Sequence, residues 1–175
     1  MKVKTTRFGI LEVGDDKIFI IKDGVLGFPD ETKYIILEHD TEGTPFKWLQ
    51  SVENPGLAFI VLDPCYLVSN YIITCTEDFI EEFGSDKIED YAVMSIVNVP
   101  AKEPIKMTAN LRAPIIVHCE KREGRQIILQ EDRYSLNHRI FLDKMLTEKM
   151  KSEKGELQIK ESDGIRKLAA IPASR

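Results

Sequence analysis

Ten short segments rich in Ile, Val, Phe, Tyr and Thr, each closed off by turn residues, commit this chain to a mostly β fold. They fall at residues 3–8, 10–13, 17–21, 33–37, 46–52, 57–62, 71–75, 91–99, 115–119 and 125–129. β-branched and aromatic residues pack well on a pleated surface, which is why such runs read as strands. Gly9, Gly14-Asp15-Asp16, Asp23-Gly24 and Asn54-Pro55-Gly56 supply the clearest breaks between them. Ala58-Phe59-Ile60-Val61-Leu62 is apolar without alternation, so both of its faces should be covered in the middle of the fold. Residues 115–129 read as a hairpin with Lys121-Arg122-Glu123-Gly124 as its loop. Many short strands at regular spacing point to a small barrel or a sandwich.

One helix is expected in the middle. Thr76 can cap it, Glu77 and Asp78 place negative charge at its positive end, and Gly84 can stop it. Phe79, Ile80 and Phe83 then face the core, with Glu81 and Glu82 towards water. After His138 the composition shifts. Ile140, Phe141, Leu142, Met145, Leu146 and Met150 recur at near-helical spacing, and Gly155 breaks the pattern. The organisation expected is a β domain over 1–138 and an extension over 139–175, an amphipathic helix followed by weak order.

Charge narrows the partners. The net charge is −5, yet residues 77–90 hold seven acidic side chains against Lys87 alone, a local −6. One acidic belt without a dominant basic stripe suits neither phosphate backbones nor direct nucleic-acid binding. It can attract a basic protein, or serve simply as a solvated helix face. The tail from Arg139 carries nine basic and six acidic residues, and its lysine-rich stretch 144–154 has the charge to fold back on the belt. No apolar run is long enough to span a bilayer and no signal-peptide core follows Met1, so a cytoplasmic protein without membrane contact is expected.

Chemistry is hard to find. Cys65, Cys75 and Cys119 never fall in C-x-x-C spacing, and small buried thiols in a reducing compartment account for them. His118 reads as a structural residue on a hairpin strand, and His39 as a strand end in solvent. Neither H-E-x-x-H, a nucleophile elbow, a P-loop nor a dinucleotide fingerprint occurs. No catalytic group, metal or cofactor is expected. Trp48 can be core or an interface anchor, with Phe46, Trp48 and Gln50 on one side of their strand.

The segment from Lys106 to Val117 is different. Lys106, Thr108, Asn110 and Arg112 offer charge and hydrogen bonds, small alanines lie between, and Pro114 opens an apolar run. That suits a surface bound by a macromolecule, or a connection whose side chains tie up backbone groups. With this segment stand Gly24-Val25-Leu26-Gly27-Phe28-Pro29, Pro45 to Val52, Pro55 to Pro64 and Gln126-Ile127-Ile128-Leu129. In that order and spacing, over roughly 1–138, the chain resembles the flagellar assembly factor FliW family.

The resemblance implies a compact antiparallel barrel-like fold. It also implies a binding protein that holds the carbon storage regulator CsrA, away from its RNA-contacting surface, and relieves repression of flagellin translation. Such proteins bind flagellin too, in a partner switch. From these blocks and expected exposure, the candidate protein-binding residues are Lys47, Gln50, Asn54, Met107, Thr108, Asn110 and Arg112, with Glu81 and Glu82 as steering charges. The competing class is an enzyme or small-ligand carrier using the barrel interior, for which an apolar pocket lined by His118 or carboxylates would speak; a filled interior speaks for the binding protein. A third is a structural flagellar component.

Overall fold

The computed structural model describes residues 1–39, 44–74, 76–85, 87–130, 132–141 and 167–169. Each of the ten expected segments contains or overlaps a strand. They are β1 (Lys2–Thr5), β2 (Gly9–Glu12), β3 (Phe19–Lys22), β4 (Lys33–Glu38), β5 (Lys47–Ser51), β6 (Ala58–Leu62), β7 (Ile72–Thr74), β8 (Tyr91–Asn98), β10 (Ile115–His118) and β11 (Glu123–Gln126). Three further strands carry too few residues to show a period: β9 (Thr108–Ala109), β12 (His138–Arg139) and β13 (Lys167–Ala169).

Seven strands close on themselves. The order β3-β4-β5-β6-β8-β10-β11 returns to β3, because β10 pairs with β8 on one side and β11 on the other. β9 and β12 extend the sheet from β8. All barrel pairs are antiparallel except one: β11 runs parallel to β3, with Glu123 opposite Ile20. The last expected segment, 125–129, therefore begins two residues early, at Glu123. Arg122 sits at φ 55 and turns the hairpin tightly into β11.

Alternation along the strands splits the apolar residues between two cores. Phe19, Ile21, Tyr34, Leu49, Val61, Met94, Ile115 and Val117 fill the barrel interior, with Val25, Phe59 and Ile96 packed against them. The opposite faces of β6, β8 and β10 contribute Leu62, Val93, Val97 and Ile116 to an outer core with Tyr71, Ile73, Phe79, Phe83, Leu111 and Tyr134. β6 is thus covered on both faces, as its unbroken apolar run requires. Each such fully buried side chain stabilises by about 1.5–3 kcal/mol.

The lid of the outer core is α1 (Glu77–Phe83). Thr76 accepts from the Phe79 N–H at 3.3 Å, and Gly84 closes the helix at φ 74, so both ends form as the sequence dictates. Phe79 and Phe83 are buried and Glu81 is exposed. The expected helix after residue 141 lies outside the described residues. At 138–139 the chain is a strand: Arg139 pairs with Thr108, and the next residue, Ile140, is buried in the outer core. Within the stretch expected to be weakly ordered, β13 pairs antiparallel with β7. Among the described residues, no helix is long and apolar enough to cross a membrane.

Asp63, at the end of β6, gives the fold a pH dependence. Burial pushes its carboxyl from 3.8 up to about 6, against the pull of the Cys65 N–H donating to it at 2.8 Å. Between those values the folded state binds more protons than the unfolded one, so stability falls as pH rises from about 4 to about 6 and then levels off. The loss is on the order of 3 kcal/mol. Asp63→Asn keeps the acceptor and is expected to flatten this slope and raise the urea midpoint at pH 7; an unchanged slope counts against the assignment.

Candidate protein-binding surface

The segments singled out in the sequence come together at one end of the barrel. This is where β3, β5, β8 and β11 end and β4, β6 and β10 begin. Gly24 adopts φ 65, and a Cβ there would lie 2.2 Å from the Phe28 carbonyl oxygen, so only glycine admits the tight return from β3. The return places Val25 in the barrel core and leaves Leu26 and Phe28 outside. Phe28 meets Phe59 of β6 edge-on, with ring centroids 5.4 Å apart. Gln126 then joins two of the blocks: its Oε1 accepts from the Leu26 N–H at 2.8 Å, and its Nε2 donates to the Ala113 carbonyl at 2.9 Å.

Asn110 holds the bend between β9 and β10. Its Oδ1 accepts from the backbone N–H groups of Arg112 and Ala113 at 3.1 and 2.9 Å. The connection reading of this segment is therefore realised, without removing its surface: Arg112 is half-exposed, paired with Asp132 at 2.9 Å. Beyond β11, Ile127 and Leu129 donate their N–H groups to Pro114 and Arg112 carbonyls and turn inward, which presents Ile128 to solvent. Leu26 and Ile128 are each 57% exposed and Phe28 is 37% exposed. A rigid end carrying exposed apolar side chains beside Asn110 and Arg112 has the composition of a docking surface.

The candidate residues divide. Met107, Thr108, Asn110 and Arg112 are half-buried along β9 and its bend. Asn54 is half-buried too, and its Nδ2 donates to Glu31 at 3.0 Å. Gln50 must be withdrawn as a contact: it is 1% exposed, and its Nε2 donates to the Ser51, Asn54 and Leu57 carbonyls. It clamps the β5–β6 turn, because a strand covered on both faces has no solvent side for an amide. Gln50→Ala is expected to cost about 2 kcal/mol in chemical denaturation, by removing a buried donor that three carbonyls share, two of which keep a backbone N–H, while leaving partner affinity within twofold. A folded variant with a tenfold weaker complex would restore Gln50 to the interface.

Lys47 lies at the other end of β5, three residues from Gln50 and so about 10 Å along the strand. It is paired with Glu38 at 2.9 Å. Glu82 is flanked by Lys22 at 3.2 Å and Arg125 at 3.3 Å, so less of its charge reaches outward than that of Glu81. Its carboxylate and that of Glu123 raise the Lys22 pKa through hydrogen bonds. These contacts place Glu82 over β3 and β11, three strand spacings from β9 in sheet order, about 14 Å.

Trp48 is buried, as its core reading required, against Arg7 at 4.2 Å and Phe8 at 5.8 Å. His39 departs from expectation: it stacks on Trp48 with rings 6° from parallel. Cys119 is exposed and not a buried thiol, because it sits at the tip of the β10–β11 hairpin, and Cys75 lies outside the described residues. His118 is buried, edge-on to Tyr91, and accepts from the Lys121 N–H, which makes it structural. Among the described residues, no group of three or more His, Cys, Asp or Glu side chains could hold a metal. Two surface hollows, of about 380 and 550 Å³, are lined by residues such as Met1, Glu12, Lys33 and Arg122 and by none of the barrel-interior side chains.

Sequence reasoning missed Leu26, Phe28 and Ile128. A signal was present: two large apolar residues inside a Gly/Pro turn, where a loop should be polar.

A family profile described as FliW protein matches residues 2–140. The chain belongs to the FliW family. Two curated relatives, each called flagellar assembly factor FliW, come from Syntrophus aciditrophicus and Thermoanaerobacter pseudethanolicus. Each is 37% identical over 141 residues, 81% of this chain, and the matches cover 88% and 93% of those proteins. A crystal structure of the flagellar assembly factor FliW superposes with a TM-score of 0.72 at 32% identity, covering 81% of this chain and 97% of that one. In this FliW-family chain the barrel, β9 and β12 fall within the shared region, and β13 falls beyond it.

Proposed function

We propose that this protein is a cytoplasmic, non-catalytic flagellar assembly factor that binds CsrA and flagellin in exchange. The observation that carries the reading is the convergence of the shared sequence blocks on one barrel end, where Leu26, Phe28 and Ile128 stay exposed on a rigid scaffold. A barrel interior filled by its own side chains supports a binding surface over a ligand pocket. The apolar end suits an amphipathic helix, the form of the flagellin termini. The belt around α1, with Glu81 free to solvent, suits a basic RNA-binding regulator, whose encounter it would accelerate.

The test is gel filtration of the purified protein with CsrA, repeated with flagellin present. Co-elution with CsrA, and release of CsrA as flagellin is added, is the expected result. Failure to co-elute with either protein, or turnover of a small molecule by the pure protein, overturns the reading.

A further inference from the structure

β7 is built like a receptor for a strand. Ile73 is fully buried in the outer core, and the Ile72 N–H donates to the Tyr134 hydroxyl at 2.7 Å, so the strand is fixed to the body of the protein. In sheet pairing it is joined to β13 alone among the described residues, with Lys167 opposite Thr74, Leu168 opposite Ile73 and Ala169 opposite Ile72. A strand edge presents unpaired N–H and C=O groups that an extended peptide satisfies. Here the occupant comes from beyond the 2–140 region that matches the family.

We propose that the edge of β7 is a strand-acceptor site whose ligand is the chain's own C-terminal segment, Lys167–Ala169, held in cis as a detachable strap. A pair only three residues long offers few ladder hydrogen bonds, each worth about 1 kcal/mol net, and an isolated two-stranded pair is marginal. Tethering compensates. The residues between Arg139 and Lys167 number about 27, enough to reach any point on the barrel when extended, and a tether of that kind holds its end at roughly millimolar effective concentration. The strap is therefore formed yet exchangeable.

Its register has a consequence for α1. Lys167 is opposite Thr74, two residues before the Thr76 cap, so docking brings a lysine position to the start of the acidic belt. A docked strap weakens the field that a basic partner meets, and a released one restores it. This last step rests on the belt reading given under the proposed function; the docking itself does not.

The full chain carrying Ile72→Cys and Ala169→Cys, with the three native cysteines changed to serine, is oxidised at low micromolar concentration and resolved on a non-reducing gel. Opposed residues on antiparallel strands lie about 4.5–5.5 Å apart at Cα, within disulfide reach. A link between positions 72 and 169 within one chain, placed by mass spectrometry, is expected. Linked dimers only, or no link in a protein that circular dichroism shows to be folded, overturns the strap.

A second measurement avoids the cysteine changes. Leu168→Pro is expected to speed amide exchange at Ile73, the residue opposite it, at least tenfold while β4 and β5 stay protected; equal rates overturn the proposal. The same variant should bind CsrA about threefold faster at low salt. An unchanged rate, with docking established by the first two readouts, overturns the gating step and the belt reading behind it while the strap stands.

Discussion

Gly124→Ala is expected to be the most damaging single methyl in the protein. A Cβ at that position would lie 2.1 Å from the Ile116 carbonyl oxygen and 2.7 Å from the Val117 Cα. Both are backbone atoms of β10, so no side chain can swing aside. Relief requires prising β11 from β10, and β11 is also the strand that closes the barrel onto β3. Overpacking ordinarily costs about 1–3 kcal/mol, and backbone-against-backbone collision at a closure point should exceed that range, to about 4 kcal/mol or more. The measurement is a urea midpoint, or the soluble yield if the variant does not accumulate. A midpoint within about 1 kcal/mol of the parent would show that the hairpin has room the geometry denies.

The second large effect concerns binding. Leu26→Asp combined with Ile128→Asp is expected to weaken one of the two complexes at least a hundredfold, about 2.7 kcal/mol, with the melting temperature little changed. Both side chains are mostly in solvent, so the fold loses little when they become carboxylates. A partner helix seated there would instead meet two desolvated charges. Flagellin is the partner expected to suffer, and isothermal calorimetry with each protein separates the cases. If both affinities stay within twofold, this end of the barrel is not the docking surface.

Much of the architecture was legible because strands covered on one or both faces write their burial into the chain. The run from Ala58 to Leu62 stated a two-faced strand, and Thr76 and Gly84 stated both ends of α1. What escaped was set by contacts with no local signature. β9, β12 and β13 exist because a neighbour offers an edge, and two or three residues cannot display a period. Gln50 looked like a surface amide because polarity alone does not reveal that three carbonyls wait for it inside. His39 looked solvent-bound because nothing nearby in sequence announces the Trp48 face it stacks on. For the binding surface, polar residues drew attention first, although most of them hold the bend and the turn. The exposed apolar trio carries no chemistry that a motif search rewards.

The parallel closure of β11 on β3 sets a timetable for synthesis. Ile20 finds its neighbour in Glu123, about a hundred residues later. At ribosomal speeds of roughly 5–20 residues per second, the emerging N-terminal half waits on the order of 5–20 seconds with that flank of β3 unpaired. Holding such an edge safe until its mate arrives is a task for the nascent-chain environment, and slowing elongation between those two points should lengthen the window in which newborn copies stick to one another.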